Sequence, residues 1–183
     1  SSKMTNLMNA ANELKSSNKN GAMSDLSMAS SNTDVASVSG KLLVKNDKEY
    51  TLDVAQIAQA QMNVSEGVKA ADYAGSAMDF TVGDGKNSVN VQVSAVKANG
   101  GSKTNAQMLR EAAEQINKSK VGVTASVVEK DGVASLQLEG KETGAGKEFT
   151  VSGELGAAAG AENVKTEAVN AKYSVTEGGH TTE

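Results

Sequence analysis

The chain has 183 residues, close to the size of one domain, and a formal net charge of -4. It contains no Cys, which excludes disulfides, thiolate nucleophiles and cysteine-bound metals, and its scattered basic residues argue against a nucleic-acid partner. Neither an apolar run of about 18 residues, the length that spans a membrane, nor a signal-peptide pattern is present. Because the chain begins Ser1-Ser2, we interpret it as a fragment of a longer protein.

An amphipathic helix is predicted over residues 1–16. Its apolar residues recur at steps of three and four and form one stripe: Met4, Leu7, Met8, Ala11 and Leu14. This stripe either packs on the chain's own core or forms a coiled-coil stalk with a helix elsewhere in the parent protein, in which case it is a candidate assembly surface. Residues 17–40 are rich in Ser and Asn, whose side chains compete for backbone hydrogen bonds, and are predicted to be a connector.

A β-rich domain is predicted over residues 41–176, and it begins with two hairpins. The first is expected to turn at 46–48, which sets Val44 opposite Tyr50. The second turns at Gly83-Asp84-Gly85, between two strands in which apolar residues alternate with polar ones. Pairing even positions with odd ones puts both apolar sets on one face. These sets are Met78, Phe80 and Val82 on one strand and Val89, Val91 and Val93 on the other.

One main helix and a third hairpin follow. Helical spacing of apolar residues extends over 104–117, and Thr104 with Gln107 fits a capping box at its start. The pair Asp131-Gly132 is typical of a two-residue type I′ turn, which sets Lys130 opposite Val133.

The end of the chain is predicted to hold a short strand at 149–151, a last strand at 171–175 and a polar tail over 177–183. The lone histidine, His180, lies in that tail and reads as a solvated end residue, not a metal ligand. The predicted fold class is therefore α+β: antiparallel hairpins packed with one main helix and preceded by an amphipathic N-terminal helix.

No catalytic, cofactor or metal site is expected. Glu111 and Glu114 fall on the exposed face of the predicted helix, where no histidine converges on them. A calcium loop is also not expected. The carboxylates of Asp79, Asp84 and Asp131 belong to separate turns or outward positions and do not have the spacing that such a loop requires.

Two tracts of the sequence carry a family resemblance. The first holds Tyr50, Leu52, Val54, Ile57 and Ala58, and the second holds Ile116, Asn117, Val123, Ala125, Gly132, Leu136, Leu138, Thr143 and Gly144. Together they resemble the bacterial flagellar filament cap family, FliD, one of the hook-associated proteins. The second tract resembles the flagellin IN motif found in cap proteins and in the outer regions of some flagellins. A strand resembling the family's exit from this repeat follows at residues 170–175.

This resemblance implies a structural subunit, not an enzyme, located outside the cell on the flagellum and exported by the flagellar secretion system without a cleavable signal. The implied subunit supports flagellin polymerisation at the filament tip and contacts host surfaces. Its implied partners are copies of itself in a cap oligomer, flagellin, hook-filament junction proteins and an export chaperone, with no cofactor, nucleic acid or membrane insertion.

Two alternatives remain open at the level of sequence. The Gly-Ser pair that often precedes the family's tyrosine is missing before Tyr50, as are most of the terminal helices, so a variable outer domain of a flagellin is also compatible. A free-standing adhesive or carbohydrate-binding module is the other alternative. Such modules stack sugars on exposed aromatic rings, and only 3% of the residues of this chain are aromatic.

Overall fold

A computed structural model describes residues 29–30, 38–44, 48–177 and 180–182. The predicted helix over 1–16, with its apolar stripe, lies outside the described residues, as does most of the predicted connector. The chain divides into two compact units. The outer unit combines the described residues up to Ala58 with those from Asn170 onward, and the inner unit is Gln59–Val169. The single β-rich domain predicted over residues 41–176 contains the whole inner unit, which is inserted between two segments of the outer unit.

The described residues of the outer unit form a five-stranded antiparallel sheet in the order β1-β2-β3-β12-β13. The predicted polar tail contains the last of these strands, and His180 lies in it. The strands are β1 (Ala29–Ser30), β2 (Val38–Val44), β3 (Lys48–Gln56), β12 (Lys172–Glu177) and β13 (His180–Thr182).

The predicted register of the first hairpin is wrong by two positions. β2 pairs Leu42 with Tyr50 and Val44 with Lys48, whereas the predicted turn sets Val44 opposite Tyr50. A shift of two residues leaves every side chain on its predicted face. The alternation of apolar residues therefore fits both registers equally well, and it could not distinguish them.

The inner unit contains two antiparallel sheets and the helix α1 (Asn105–Lys118). One sheet has the order β10-β6-β7. In the other, β9 is central: β8 pairs with one of its edges, β4 and β5 pair with the other edge in succession, and β11 pairs with β4. The strands are β4 (Met62–Val64), β5 (Val68–Lys69), β6 (Met78–Gly83), β7 (Ser88–Val93), β8 (Val123–Lys130), β9 (Val133–Gly140), β10 (Thr150–Glu154) and β11 (Val164–Thr166).

The structure confirms the strand pairing of the other two predicted hairpins, although the β6–β7 turn is 84–87 and Gly83, predicted to lie in the turn, is paired with Ser88. β6 and β7 pair Phe80 with Val91, an even position with an odd one, as the alternation required. β8 and β9 pair Lys130 with Val133. Asp131 has φ 53° and Gly132 has φ 78°, so both central residues of this turn have the positive φ of a type I′ turn.

The predicted main helix is also confirmed. The Gln107 amide N–H donates to Thr104 Oγ1 at 3.3 Å, and the Thr104 amide N–H donates to Gln107 Oε1 at 3.0 Å, which completes the capping box. The apolar face of α1 packs mainly on β8, with further contacts to β7 and β9. A largely aliphatic core forms where this face meets the two sheets, and its largest members are Phe80, Met78, Met108, Leu109, Ile116, Leu136 and Leu138.

Candidate assembly surfaces and the residues that support them

The apolar residues of the IN-like tract form the core of the inner unit. Ile116, Val123, Leu136 and Leu138 are fully buried, and Ala125 is nearly so. Full burial of a leucine or isoleucine side chain contributes about 1.5–3 kcal/mol. These residues therefore specify the fold and are not available to a partner.

Asn117, the polar member of the same tract, joins the end of α1 to β8. Its Nδ2 donates to the Ala125 carbonyl at 2.8 Å, and its Oδ1 accepts from the Ala125 amide N–H at 2.8 Å. An amide side chain offers a donor and an acceptor side by side, so it can pair with both backbone groups of one strand residue. Asn117 thus takes the place of a neighbouring strand at this point of β8.

Gln115 makes the equivalent connection to β7, the edge strand of the other sheet. Its Nε2 donates to the Gln92 carbonyl at 2.8 Å, and its Oε1 accepts from the Gln92 amide N–H at 3.1 Å. Asn117 and Gln115 of the same helix therefore hydrogen-bond to the backbone of one strand in each sheet. An exposed strand edge would otherwise offer such groups to another chain.

The two glycines of the tract allow turns. Gly132 lies in the exposed β8–β9 turn described above. Gly144 is buried with φ 108°, and its amide N–H donates to the Gln59 carbonyl at 3.1 Å. Thr143, beside it, is exposed.

The first tract lies in the outer unit. Tyr50 and Leu52 are on β3, opposite Leu42 and Gly40 of β2. The side chains of three further tract residues are half-buried: Val54, Ile57 and Ala58. The structure therefore places the two tracts in different units.

Three buried polar residues that the sequence did not predict lie in and beside β4. Gln61, Asn63 and Ser65 are 2%, 1% and 5% exposed. Gln61 Nε2 donates to Asn63 Oδ1 at 2.9 Å, Asn63 Nδ2 donates to the Ala161 carbonyl at 2.9 Å, and the Leu136 amide N–H donates to Ser65 Oγ at 2.8 Å. The available signal was the spacing of three polar residues at every second position, which matches one face of a strand.

Asp84 ties the β6–β7 turn to the segment before β8. Its Oδ1 accepts from the Lys86 and Asn87 amide N–H groups at 2.8 and 2.6 Å, and its Oδ2 accepts from the Gly122 amide N–H at 2.5 Å. Hydrogen bonds from the backbone of Asn87, Lys86 and Gly122, in that order of importance, hold the pKa of Asp84 far below its ordinary value. The Asp84 carboxylate has a structural role, since all three of its hydrogen-bond donors are backbone N–H groups.

The acidic residues of α1 form ion pairs. Glu111 accepts from Lys103 Nζ, and Glu114 accepts from Lys118 Nζ, each at 2.6 Å. The hydrogen bond and charge of Lys118 lower the pKa of Glu114. In the described part of the chain, no group of three or more His, Asp or Glu residues could hold a metal ion, and no helix is long and apolar enough to cross a membrane.

The outward face of the β10-β6-β7 sheet is polar, and we call it the polar face. Asp79 accepts from Asn90 Nδ2 at 2.9 Å and from Gln92 Nε2 at 3.0 Å, which links β6 to β7 across this face. These two hydrogen bonds lower the pKa of Asp79. The outward residues on β10 are likewise polar: Thr150, Ser152 and Glu154.

The outward face of the sheet built on β9 is different, and we call it the valine face. Val128 on β8 and Val133 on β9 are 48% and 41% exposed, although both belong to regular strands. Two half-buried apolar residues of β4, Met62 and Val64, extend this face. The inner unit therefore has one solvent-facing sheet surface that is polar and one that is partly apolar.

Comparisons with known proteins find similarity at the level of structure. No family model and no curated protein sequence matches the chain. The flagellar cap protein FliD from Bdellovibrio bacteriovorus matches 84% of this chain over 82% of its own, with a TM-score of 0.52 and 21% identity. The D2-D3 domains of the flagellar cap protein FliD from Escherichia coli match 86% of this chain over 84% of their own, with a TM-score of 0.50 and 24% identity. This chain has the fold of flagellar cap outer domains.

Longer cap structures extend beyond the matched region. The chain covers 48% of the D1-D2-D3 structure of the Escherichia coli FliD, at a TM-score of 0.50 and 23% identity. It therefore spans about half of that cap protein fragment. The resemblance inferred from the sequence is confirmed at the level of the fold.

Proposed function

We propose that this chain is the outer part of a flagellar filament cap subunit, which supports flagellin polymerisation at the filament tip. The observation that carries this proposal is the shared fold over more than four-fifths of both this chain and the Escherichia coli D2-D3 domains. In this chain, the inner unit Gln59–Val169 interrupts the outer unit as one continuous insertion.

The way in which the inner unit is inserted suits a protein that presents a contact surface to its partners. Gln59 and Val169, the first and last residues of the inner unit, exchange two backbone hydrogen bonds of 2.9 and 3.1 Å. The two ends of the inner unit are therefore adjacent, which is the usual arrangement of an inserted domain. We assign the inner unit the role of a contact domain of the cap.

The proposed partners follow from this role. They are copies of the chain in a cap oligomer, flagellin, the hook-filament junction proteins and an export chaperone. The proposed location is the filament tip outside the cell. A chain without Cys forms no disulfide that would have to be broken or remade during export as an unfolded polypeptide. The residues of the predicted helix 1–16 belong, in this proposal, to a coiled-coil stalk.

The test of this proposal is the position of the protein on the filament. Antibody raised against this chain, with a gold label, should mark filament tips in the native bacterium. Deleting the gene for the parent protein should abolish swimming and release unpolymerised flagellin into the medium. Label along the whole filament would instead identify a flagellin outer domain, and normal swimming after deletion would also overturn the proposal.

Adhesion is a second candidate function, favoured by two exposed tyrosines. Tyr73 is 71% exposed in the inner unit, and Tyr173 is 59% exposed in the outer unit. Exposed aromatic rings are stacking surfaces for sugars. If the chain binds immobilised glycans, Tyr73→Ala or Tyr173→Ala should weaken that binding at least tenfold. Equal binding by both variants would remove the basis for this function.

A further inference from the structure

At one end of the valine face, two lysines flank an exposed valine. Lys130 of β8 and Lys69 of β5 are both paired with Val133 of β9, so a lysine lies on each side of this valine. All three residues are exposed. One end of the face is therefore positively charged around an apolar side chain.

Glu139 supplies a negative charge at the opposite end of the same face. Glu139 is exposed on β9 and lies between Thr124 of β8 and Met62 of β4. At about 3.4 Å per residue, it lies about 20 Å from Val133 along the strand. The middle of the face, between these charged ends, holds Val128 and Val64 beside uncharged polar residues.

We propose that the valine face binds the same face of a second copy of this chain. The two faces stack about a two-fold axis that lies in the interface, at right angles to β9 and level with Leu136. This rotation reverses the strand direction, so Glu139 of each copy lies over Val133 of the other. The carboxylate then lies within reach of the lysines on both sides of that valine.

The symmetry makes the charge pattern self-complementary. A two-fold interface uses one patch twice, so each charged end must match the opposite end of the same patch. Glu139 meets Lys69 and Lys130 twice in the pair, and the exposed valines are covered at the same time. Complementary charges fix the register of such a contact, while apolar burial drives it. Aligned stacking of two sheets is a common packing arrangement.

The polar face offers no comparable match. Its carboxylates, Asp79 and Glu154, are paired positions on neighbouring strands, so they concentrate negative charge in one row. Asp79 is also already engaged by Asn90 and Gln92. This face therefore serves as an internal control for the valine face.

This pairing refines the proposed function. It rests on that proposal for one premise, that the chain works as an assembly of copies. Sedimentation equilibrium over a concentration series measures it directly. Glu139→Lys alone should raise the dissociation constant at least tenfold, and so should Lys69→Glu combined with Lys130→Glu. Mixing these two variants should restore pairing, because each mixed pair again sets glutamates against lysines at both ends of the interface.

The control is Glu154→Lys on the polar face, which should leave the dissociation constant unchanged. Thermal unfolding of every variant should show that the fold is retained. Monomeric wild-type chain, an unchanged constant for Glu139→Lys, or failure of the mixture to associate would overturn the proposed contact. Tip labelling in cells would remain a separate test, so failure of this contact and failure of the cap function are distinguishable.

Discussion

Gln61 and Phe149 are 88 positions apart in the chain, yet the Gln61 side chain pairs with both backbone groups of Phe149. Gln61 Nε2 donates to the Phe149 carbonyl at 2.9 Å, and the Phe149 amide N–H donates to Gln61 Oε1 at 3.0 Å. Gln61 is 2% exposed, so water cannot replace either bond. The side chain thereby fixes the segment that leads into β10 against the residue that precedes β4.

Gln61→Leu should destabilise the inner unit by about 2–4 kcal/mol. Leucine has a similar volume but leaves the buried amide N–H and carbonyl of Phe149 without partners, and each such group costs about 1–3 kcal/mol. Urea unfolding of the whole chain measures the change. Gln59→Leu is the matched control, because the Gln59 side chain is exposed. Similar midpoints for the two variants would contradict the role assigned to Gln61.

Asn117→Ala should destabilise the inner unit by about 1–2 kcal/mol, because it removes both side-chain hydrogen bonds to Ala125. Gln115→Ala should cost less, since its bonds to Gln92 are exposed and water can replace them. Lys118→Ala, on the same turn of the helix, should leave the unfolding midpoint within error, as expected for a surface ion pair. If Lys118→Ala costs as much as Asn117→Ala, the bonds to Ala125 are not the cause.

The sequence predicted the regular elements of the inner unit because several local signals agreed there. The Asp131-Gly132 turn, the alternation on β8 and β9, and the capping box at Thr104 all point to the observed structure. Such agreement between turn chemistry, pattern and capping is what makes an element predictable. No such agreement fixed the register of the β2–β3 hairpin, since the apolar pattern is the same after a shift of two residues.

The polar interior and the division into two units were not predicted. Gln61 and Asn63 look like surface residues in sequence, because their partners, Phe149 and Ala161, are backbone groups 88 and 98 positions away. Backbone groups have no signature in an amino-acid sequence. The division was missed for a similar reason, since it depends on β3 pairing with β12 across the whole inserted unit.

Gly153→Ala should destabilise the inner unit more than Gly132→Ala, although both glycines have positive φ, 125° and 78°. A Cβ at position 153 would lie 2.6 Å from the Asp79 carbonyl oxygen, whereas a Cβ at position 132 meets nothing within 4 Å. Gly132→Ala should cost about 1 kcal/mol for the backbone conformation alone, and Gly132→Val that much or more. Thermal unfolding of the variants gives the comparison, and equal losses at the two positions would show that the contact with β6 relaxes freely.

Asp84→Asn should lower stability at neutral pH and flatten the acid side of the stability profile. The folded-state pKa of Asp84 is lowered from the ordinary value of 3.8 by its three backbone donors. A lowered pKa means that the unfolded chain takes up the proton first as pH falls. The contribution of Asp84 is therefore fully present above about pH 4, the ordinary range of an aspartate, and declines as pH falls toward the folded-state pKa.

Unfolding midpoints of wild type and Asp84→Asn, measured from neutral pH downward, should differ most at neutral pH and converge in acid. Lys86→Ala is the control, because it removes the side chain but keeps the amide N–H that donates to Asp84. Its profile should keep the wild-type slope. A constant gap between wild type and Asp84→Asn at every pH would mean that the asparagine disturbs packing near Gly122 instead of removing a charge held by the backbone.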